Sequence, residues 1–212
     1  MPSGTRETLI STAARLFHEQ GFSGTGVATI LREANVNSGS LYHYFPSKEA
    51  LVVGVLEWYR ANLRPIVMDP VEKQTADPID RVFSLLSWYR SLLEITHCKL
   101  GCPIGNLALE LADNHPDVRR LTDENFVNWT LAVRQWLDDA GDQLPASVDR
   151  LELSQMVLNT MEGGIMQARA RADLAPFDAA VRQLRKYFDY LERDARASRS
   201  VNASNDPEGD RQ

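Results

Sequence analysis

The chain has 212 residues, 43% hydrophobic and 25% charged, ordinary values for a globular protein long enough to bury its own core. Two cysteines exclude a disulfide framework, and no apolar run approaches the roughly 18 residues of a membrane span. The net charge of −6 is unevenly spread: residues 1–64 carry six Lys/Arg against five Asp/Glu, residues 65–212 seventeen against twenty-four, so the first third remains compatible with a local surface for nucleic acid.

The opening Met-Pro-Ser-Gly-Thr-Arg-Glu does not read as a secretory leader, and the expected compartment is a reducing cytoplasm. Helical spacing dominates the whole chain, without sustained strand alternation. The first helix is expected from Thr5 to Gln20, with Leu9, Ala13, Leu16 and Phe17 as its stripe and Gly21 as its stop. A second follows Thr25 as N-cap and reaches Ala34. A short turn with Asn37 as cap leads into a third, Ser38 to Phe45. Ser47 caps a fourth, Lys48 to Arg64. Pro65 to Pro78 reads as a linker.

Beyond it, Ile79, Val82, Phe83, Leu86, Tyr89 and Leu93 form one stripe and Leu85, Trp88, Leu92 and Ile95 a second. A helix apolar on so many sides is expected to be central. Further helices are expected over Pro103–Asp113, Pro116–Asp139 and Val148–Ala172, the last interrupted in composition at Gly163-Gly164. The final helix follows Pro176, with a seam of Phe177, Val181, Leu184, Phe188 and Leu191 that suits helix pairing. Residues 197–212 are polar and expected to be disordered.

Two short helices joined by a tight turn inside a three-helix unit make a helix-turn-helix. Its recognition helix would be Ser38–Phe45. Leu31, Val36 and Leu41 would set the crossing, leaving Asn37, Ser38, Gly39, Ser40, Tyr42 and His43 to face outward. Serine and histidine suit base edges and tyrosine hydroxyls suit phosphates. Gly39 costs helix stability, which a close approach to DNA would explain. Lys48, in the first turn of a helix, is either a phosphate site or a solvated lysine beside Glu49.

Gly21-Phe22, Ile30, Ala34, Val36, Gly39, Leu41-Tyr42, Tyr44-Phe45, Lys48 and Leu51 together resemble the N-terminal pattern of TetR/AcrR-type transcriptional regulators over roughly residues 5–52. The resemblance implies an all-α homodimer, with a DNA-binding domain over 1–52 and a ligand-binding and dimerisation domain over 53–196. It implies a repressor that binds double-stranded, pseudo-palindromic operator DNA and releases it when a small molecule binds, with no cofactor. Gly26 departs from the pattern where a hydroxyl residue often stands, and Thr25 is expected to supply that phosphate contact instead. The stretch Gly101-Cys102-Pro103-Ile104-Gly105-Asn106-Leu107-Ala108 resembles a segment of a branch that responds to reactive electrophiles, quinone-like compounds or flavonoids.

Cys102 has two readings. At a helix N-terminus it would be an activated thiolate and a thiol sensor; otherwise it is a small buried hydrophobe. His97, Cys98, Cys102 and His115 match no zinc spacing, so no metal is expected. Candidate ligand-binding residues are Trp88, His97, Cys102, Asn106, Phe126, Trp129, Met156, Asn159, Glu162 and Met166. Asn159 and Glu162 need partners when buried, which leaves a cationic or a hydroxylated ligand open. The Phe177–Leu191 seam and the apolar groups of Val148–Ile165 suit either a four-helix dimer bundle across a two-fold axis or packing of the same helices within one chain, and the family resemblance implies the dimer. No Gly-rich phosphate loop, His-Glu-x-x-His or Gly-x-Ser-x-Gly occurs, and the expectation is a regulator rather than an enzyme.

Overall fold

A computed structural model describes residues 4–204. Ten α-helices follow one another among these residues. They are α1 (Thr5–Gln20), α2 (Val27–Ala34), α3 (Ser38–Tyr44), α4 (Lys48–Leu63), α5 (Asp69–Gln74), α6 (Pro78–Ile95), α7 (Pro103–Leu111), α8 (Pro116–Asp139), α9 (Arg150–Arg171) and α10 (Ala175–Ser204). Helix α10 continues over 197–204, where composition had suggested disorder; an α-helix keeps its own backbone hydrogen bonds and can outrun its apolar stripe. The rest of that expected tail, 205–212, lies outside the described residues.

Local caps follow the sequence. Asn37 accepts the Ser40 N–H at 2.8 Å, Ser47 accepts that of Ala50 at 3.1 Å, and Asp77 accepts those of Ile79 and Asp80, each at 2.9 Å. These bonds satisfy N–H groups that the first helical turn leaves unpaired. The expected Thr25 cap does not form: the N-cap of α2 is Gly26, without a side-chain bond. Thr25 is instead fully buried. Its hydroxyl lies 2.7 Å from the Gly21 carbonyl and 3.2 Å from that of Leu16.

The expected linker is helical too. Arg64–Met68 form a π-type turn that runs directly into α5, and Val67, Met68 and Val71 enter the core. Proline sits where an early helical turn tolerates it. Of the two stripes on α6, the first is buried except at the half-buried Phe83. The second is buried only at Leu85, for Leu92 is 40% and Ile95 75% exposed, so α6 is central along one face only.

Helix α9 passes through Gly163-Gly164 without a break. A Cβ on Gly164 would lie 2.9 Å from the Phe177 ring, so this glycine lets α10 pack closely on α9. Phe177, Leu184, Phe188 and Leu191 are all buried within the single chain, with Phe188 edge-on to Phe83 at 5.4 Å. The expected dimer seam is therefore an intrachain seam: α6 and α9 already cover it. What α9 and α10 turn outward is another set, Leu151, Met156, Tyr187 and Tyr190.

Candidate nucleic-acid interface and sensing cavities

Helices α1 to α3 form a three-helix unit around Leu9, Ala13, Phe17, Ile30 and Leu41. With Leu41 anchored inward, Ser38, Gly39, Tyr42 and His43 are exposed and Ser40 is half-buried. Tyr42 is 54% exposed and the rings of His43 and Tyr44 meet edge-on at 4.9 Å. Asn37 spends its carbonyl oxygen on the α3 cap, which leaves its NH2 group outward. A Cβ at Gly39 would meet only the Asn37 side-chain oxygen, at 3.3 Å, so packing gives little reason for glycine there. Phe45 is core and lies against Gly54 of α4. Arg6 stacks over the Phe45 ring at 5.4 Å and forms no ion pair among the described residues. It stands beside the end of α3, and its sequence position gave no hint of this.

Two of the expected phosphate groups are committed elsewhere. Thr25 is sealed in the core. Lys48 donates to the carbonyls of Phe22 at 2.9 Å and Thr25 at 3.1 Å, with its ammonium 4.0 Å from the Phe22 ring centroid. The repulsion expected at the α4 N-terminus is offset by these acceptors, and one of three donors is left. Lys48→Met is expected to lose about 1–3 kcal/mol of stability, the worth of hydrogen bonds from a charged donor. A lower urea midpoint together with weaker binding to every duplex checks this. A phosphate contact alone would leave the midpoint unchanged.

The loop that Lys48 holds by its carbonyls is held by its N–H groups from the other side. Glu110 of α7 accepts from Phe22 at 2.9 Å and Ser23 at 2.7 Å. These bonds draw its carboxyl below the usual range despite the opposing cost of burial. Gly21, with φ +77°, leaves room for that carboxylate. Nearby, His18 of α1 donates from Nε2 to the Gly101 carbonyl at 2.7 Å; a carbonyl only accepts, which fixes the proton on that nitrogen. Burial lowers the pKa of His18 and the Gly101 bond opposes this. Neither Glu110 nor His18 carries a sequence signal, because their partners are backbone groups more than eighty residues away.

His18 is also part of the wall of a cavity of about 340 Å3 between α1, α4, α6, α7 and α8. Trp58, Tyr59, Trp88, Tyr89 and Trp129 are its other aromatic walls. Tyr89 meets Trp129 at right angles, 6.0 Å between centroids, and burial raises the pKa of both tyrosines. No Lys, Arg, Asp or Glu lines it. The indole Nε1 of Trp129 is buried without an acceptor.

The expected ligand residues thus divide. Trp88 and Trp129 line this cavity. Cys102, Asn106, Phe126, Asn159, Glu162 and Met166 line a second one of about 630 Å3 between α7, α8 and α9, sharing Gly101 and Ile165 with the first. His97 and Met156 line neither. His97 lies exposed in the α6–α7 turn at φ +52°, and Met156 is 42% exposed on the outer face of α9.

Cys102 is the N-cap of α7 and its sulfur accepts the Gly105 N–H at 3.3 Å. Its surroundings disfavour the thiolate. Burial, then the charge of Glu162, push the thiol well above its ordinary range and outweigh the helix N-terminus. Native Cys102 is expected to resist iodoacetamide at least about tenfold better than in urea, as peptide mass spectrometry would show. Among the described residues no group of three or more His, Cys, Asp or Glu is placed to hold a metal.

A three-helix unit that exposes a short, polar recognition helix and is joined to a cavity-bearing helical bundle defines a helix-turn-helix regulator. Residues 9–55 match the family described as bacterial regulatory proteins, tetR family. Residues 78–183 match the LmrA/YxaF-like transcriptional regulator C-terminal domain. The chain is 30% identical to the HTH-type transcriptional regulator LmrA of Bacillus subtilis (strain 168) over 81% of its own length and 90% of that protein's. It is similar to the reduced form of Escherichia coli NemR, with 28% identity, a TM-score of 0.75, and coverage of 86% of this chain and 96% of that one. NemR is described as an HTH-type transcriptional repressor. A regulatory protein TetR from Rhodobacter sphaeroides shares the fold at a TM-score of 0.77 and 24% identity, covering 86% and 97% of the two chains. The chain belongs to the TetR family and is a DNA-binding transcriptional regulator.

Proposed function

We propose that the protein is a cytoplasmic homodimeric repressor, released from its operator by an uncharged, mainly apolar aromatic molecule. Residues 1–52 form its DNA-binding part and 53–196 its ligand and dimer part. Ser38, Gly39, Ser40, Tyr42 and His43 of each α3 face one half of a pseudo-palindromic site, the Asn37 NH2 group reaches the same groove, and Arg6 and the remaining donor of Lys48 face phosphates. Two copies meet through the outward faces of α9 and α10, where Leu151, Tyr187 and Tyr190 are exposed apolar groups. No helix among the described residues is long and apolar enough to cross a membrane.

One observation carries the ligand half of the reading. His18 belongs to the DNA-binding unit, lines the aromatic cavity and is hydrogen-bonded to Gly101. An occupant that shifts the Gly101–Pro103 segment therefore acts on α1 directly. It acts on the loop before α2 as well, through α7 and Glu110. The ligand works by favouring the arrangement with the wrong spacing between the two α3 helices. An uncharged aromatic suits walls of Trp and Tyr without a charged side chain.

Selection from random duplex DNA tests the DNA half. A palindromic consensus is expected, and no enrichment at low salt contradicts it. The selected duplex then serves to test release. An uncharged bicyclic aromatic such as 2-naphthol is expected to quench the emission of Trp58, Trp88 and Trp129 and to dissociate the complex. Quenching without dissociation would separate the cavity from DNA control.

A further inference from the structure

The second cavity has a different chemistry from the first. On α9, Gln155, Asn159, Glu162, Met166 and Arg169 recur at spacings of three and four, so one face of the helix lines it. Glu162 is the acidic group in that wall. One of its oxygens faces Cys102 and the Gly105 backbone, 3.0 Å from where a Cβ on Gly105 would stand. The other, Oε1, is buried and has no hydrogen-bond partner.

No Lys, Arg or His forms an ion pair with Glu162 among the described residues. The nearest cation on the same face, Arg169, bonds instead to the side-chain oxygen of Asn106 at 2.9 Å. Buried carboxylates are ordinarily paired, because an ionised group without a counter-charge is costly to desolvate. Around this one stand the Gln155 and Asn159 amides and the apolar surfaces of Phe126, Leu158 and Met166. Charge, an open acceptor and an apolar wall are thus present together, while a matching cation is not.

We propose that the cavity between α7, α8 and α9 is a second ligand site, for an amine with an apolar, preferably aromatic, body. Its ammonium donates to Glu162 Oε1 and its body lies on Phe126 and Met166. A neutral alcohol supplies one donor and no charge, so it satisfies the acceptor but leaves the carboxylate unpaired. The site differs from the aromatic cavity in ligand charge and in the helices that form it. Binding here is read on the protein without DNA and does not depend on the proposed mode of release.

The test is calorimetric titration of the full chain at pH 8 with benzylamine, which remains protonated there, and with benzyl alcohol as its neutral counterpart. Benzylamine is expected to bind saturably and at least about thirtyfold more tightly than benzyl alcohol, the usual consequence of omitting one partner of a desolvated charge pair. Glu162→Gln is expected to remove that difference. With methionine methyls labelled, benzylamine should shift the Met166 resonance and leave that of Met68, a core residue outside both cavities, in place. Equal binding of the two compounds, no saturable binding of benzylamine, or shifts that bypass Met166 would each overturn the proposal. These readings use the unaltered protein, so they hold whether or not the variant folds.

Discussion

Replacing Phe188 by aspartate is expected to unfold the protomer rather than to split a dimer. Phe188 is fully buried between α10 and the core, edge-on to Phe83. Removing such a ring costs about 3–5 kcal/mol, and an unpaired carboxylate in its place adds several more. The sum rivals the roughly 5–15 kcal/mol that holds a domain folded. Tyr190 stands less than a turn further along the same helix but 59% exposed. Tyr190→Asp is expected to leave the protomer folded, with the far-UV helical signal of the natural chain, and to lower the sedimentation mass from dimer to monomer. A Phe188→Asp protein that melts normally would contradict the packing of α10. A Tyr190→Asp protein that remains dimeric would move the contact away from the outer face of α10.

The contrast between these two positions shows where sequence reasoning stops. The period of α10 identified its seam correctly, and the identity of the covering surface lay beyond it. A stripe of Phe and Leu at three- and four-residue spacing says that something apolar lies opposite. It does not say whether that surface is α6 and α9 of the same chain or a helix of another. Asn37 and Ser47 were legible because a cap acts on a group three residues away. The partners that Thr25 and Lys48 take in the fold were not legible, because they are carbonyls of α1 and of the loop between α1 and α2, fixed only once α1 and α4 have packed. Cys102 shows the same limit in electrostatics. Its place at a helix N-terminus is a local fact that favours a thiolate, but burial and Glu162, sixty residues on, decide the outcome. The ten proposed ligand residues shared the right composition for a site. Eight of them divide between an aromatic and a polar cavity whose linings share Gly101 and Ile165, and His97 and Met156 line neither.

At pH 8, Glu162→Gln is expected to be more stable than the natural chain, by up to about 3 kcal/mol, and the gain should disappear near pH 4.5. Burial pushes the Glu162 carboxyl up to about 7 from an ordinary 4.5, and the hydrogen bond from Cys102 only partly opposes this. The folded chain therefore holds this proton more tightly than the unfolded chain. The sign follows from that difference: stability is fully present below about 4.5, declines as pH rises toward 7, and is not recovered above it. Across that window the slope is about 1.4 kcal/mol per pH unit. Other titratable groups near Glu162 do not confuse the window, since burial holds both Cys102 and Tyr89 neutral well above it. Glutamine keeps the volume and removes the charge, so urea midpoints at a series of pH values should converge for the two proteins at low pH and separate as it rises. Parallel midpoints would show that solvent reaches the carboxylate in the folded state. The penalty measured in this way is also what a bound ammonium would relieve. Benzylamine should accordingly stabilise the natural chain more at pH 8 than at pH 5, where Glu162 is already protonated and offers no charge to pair.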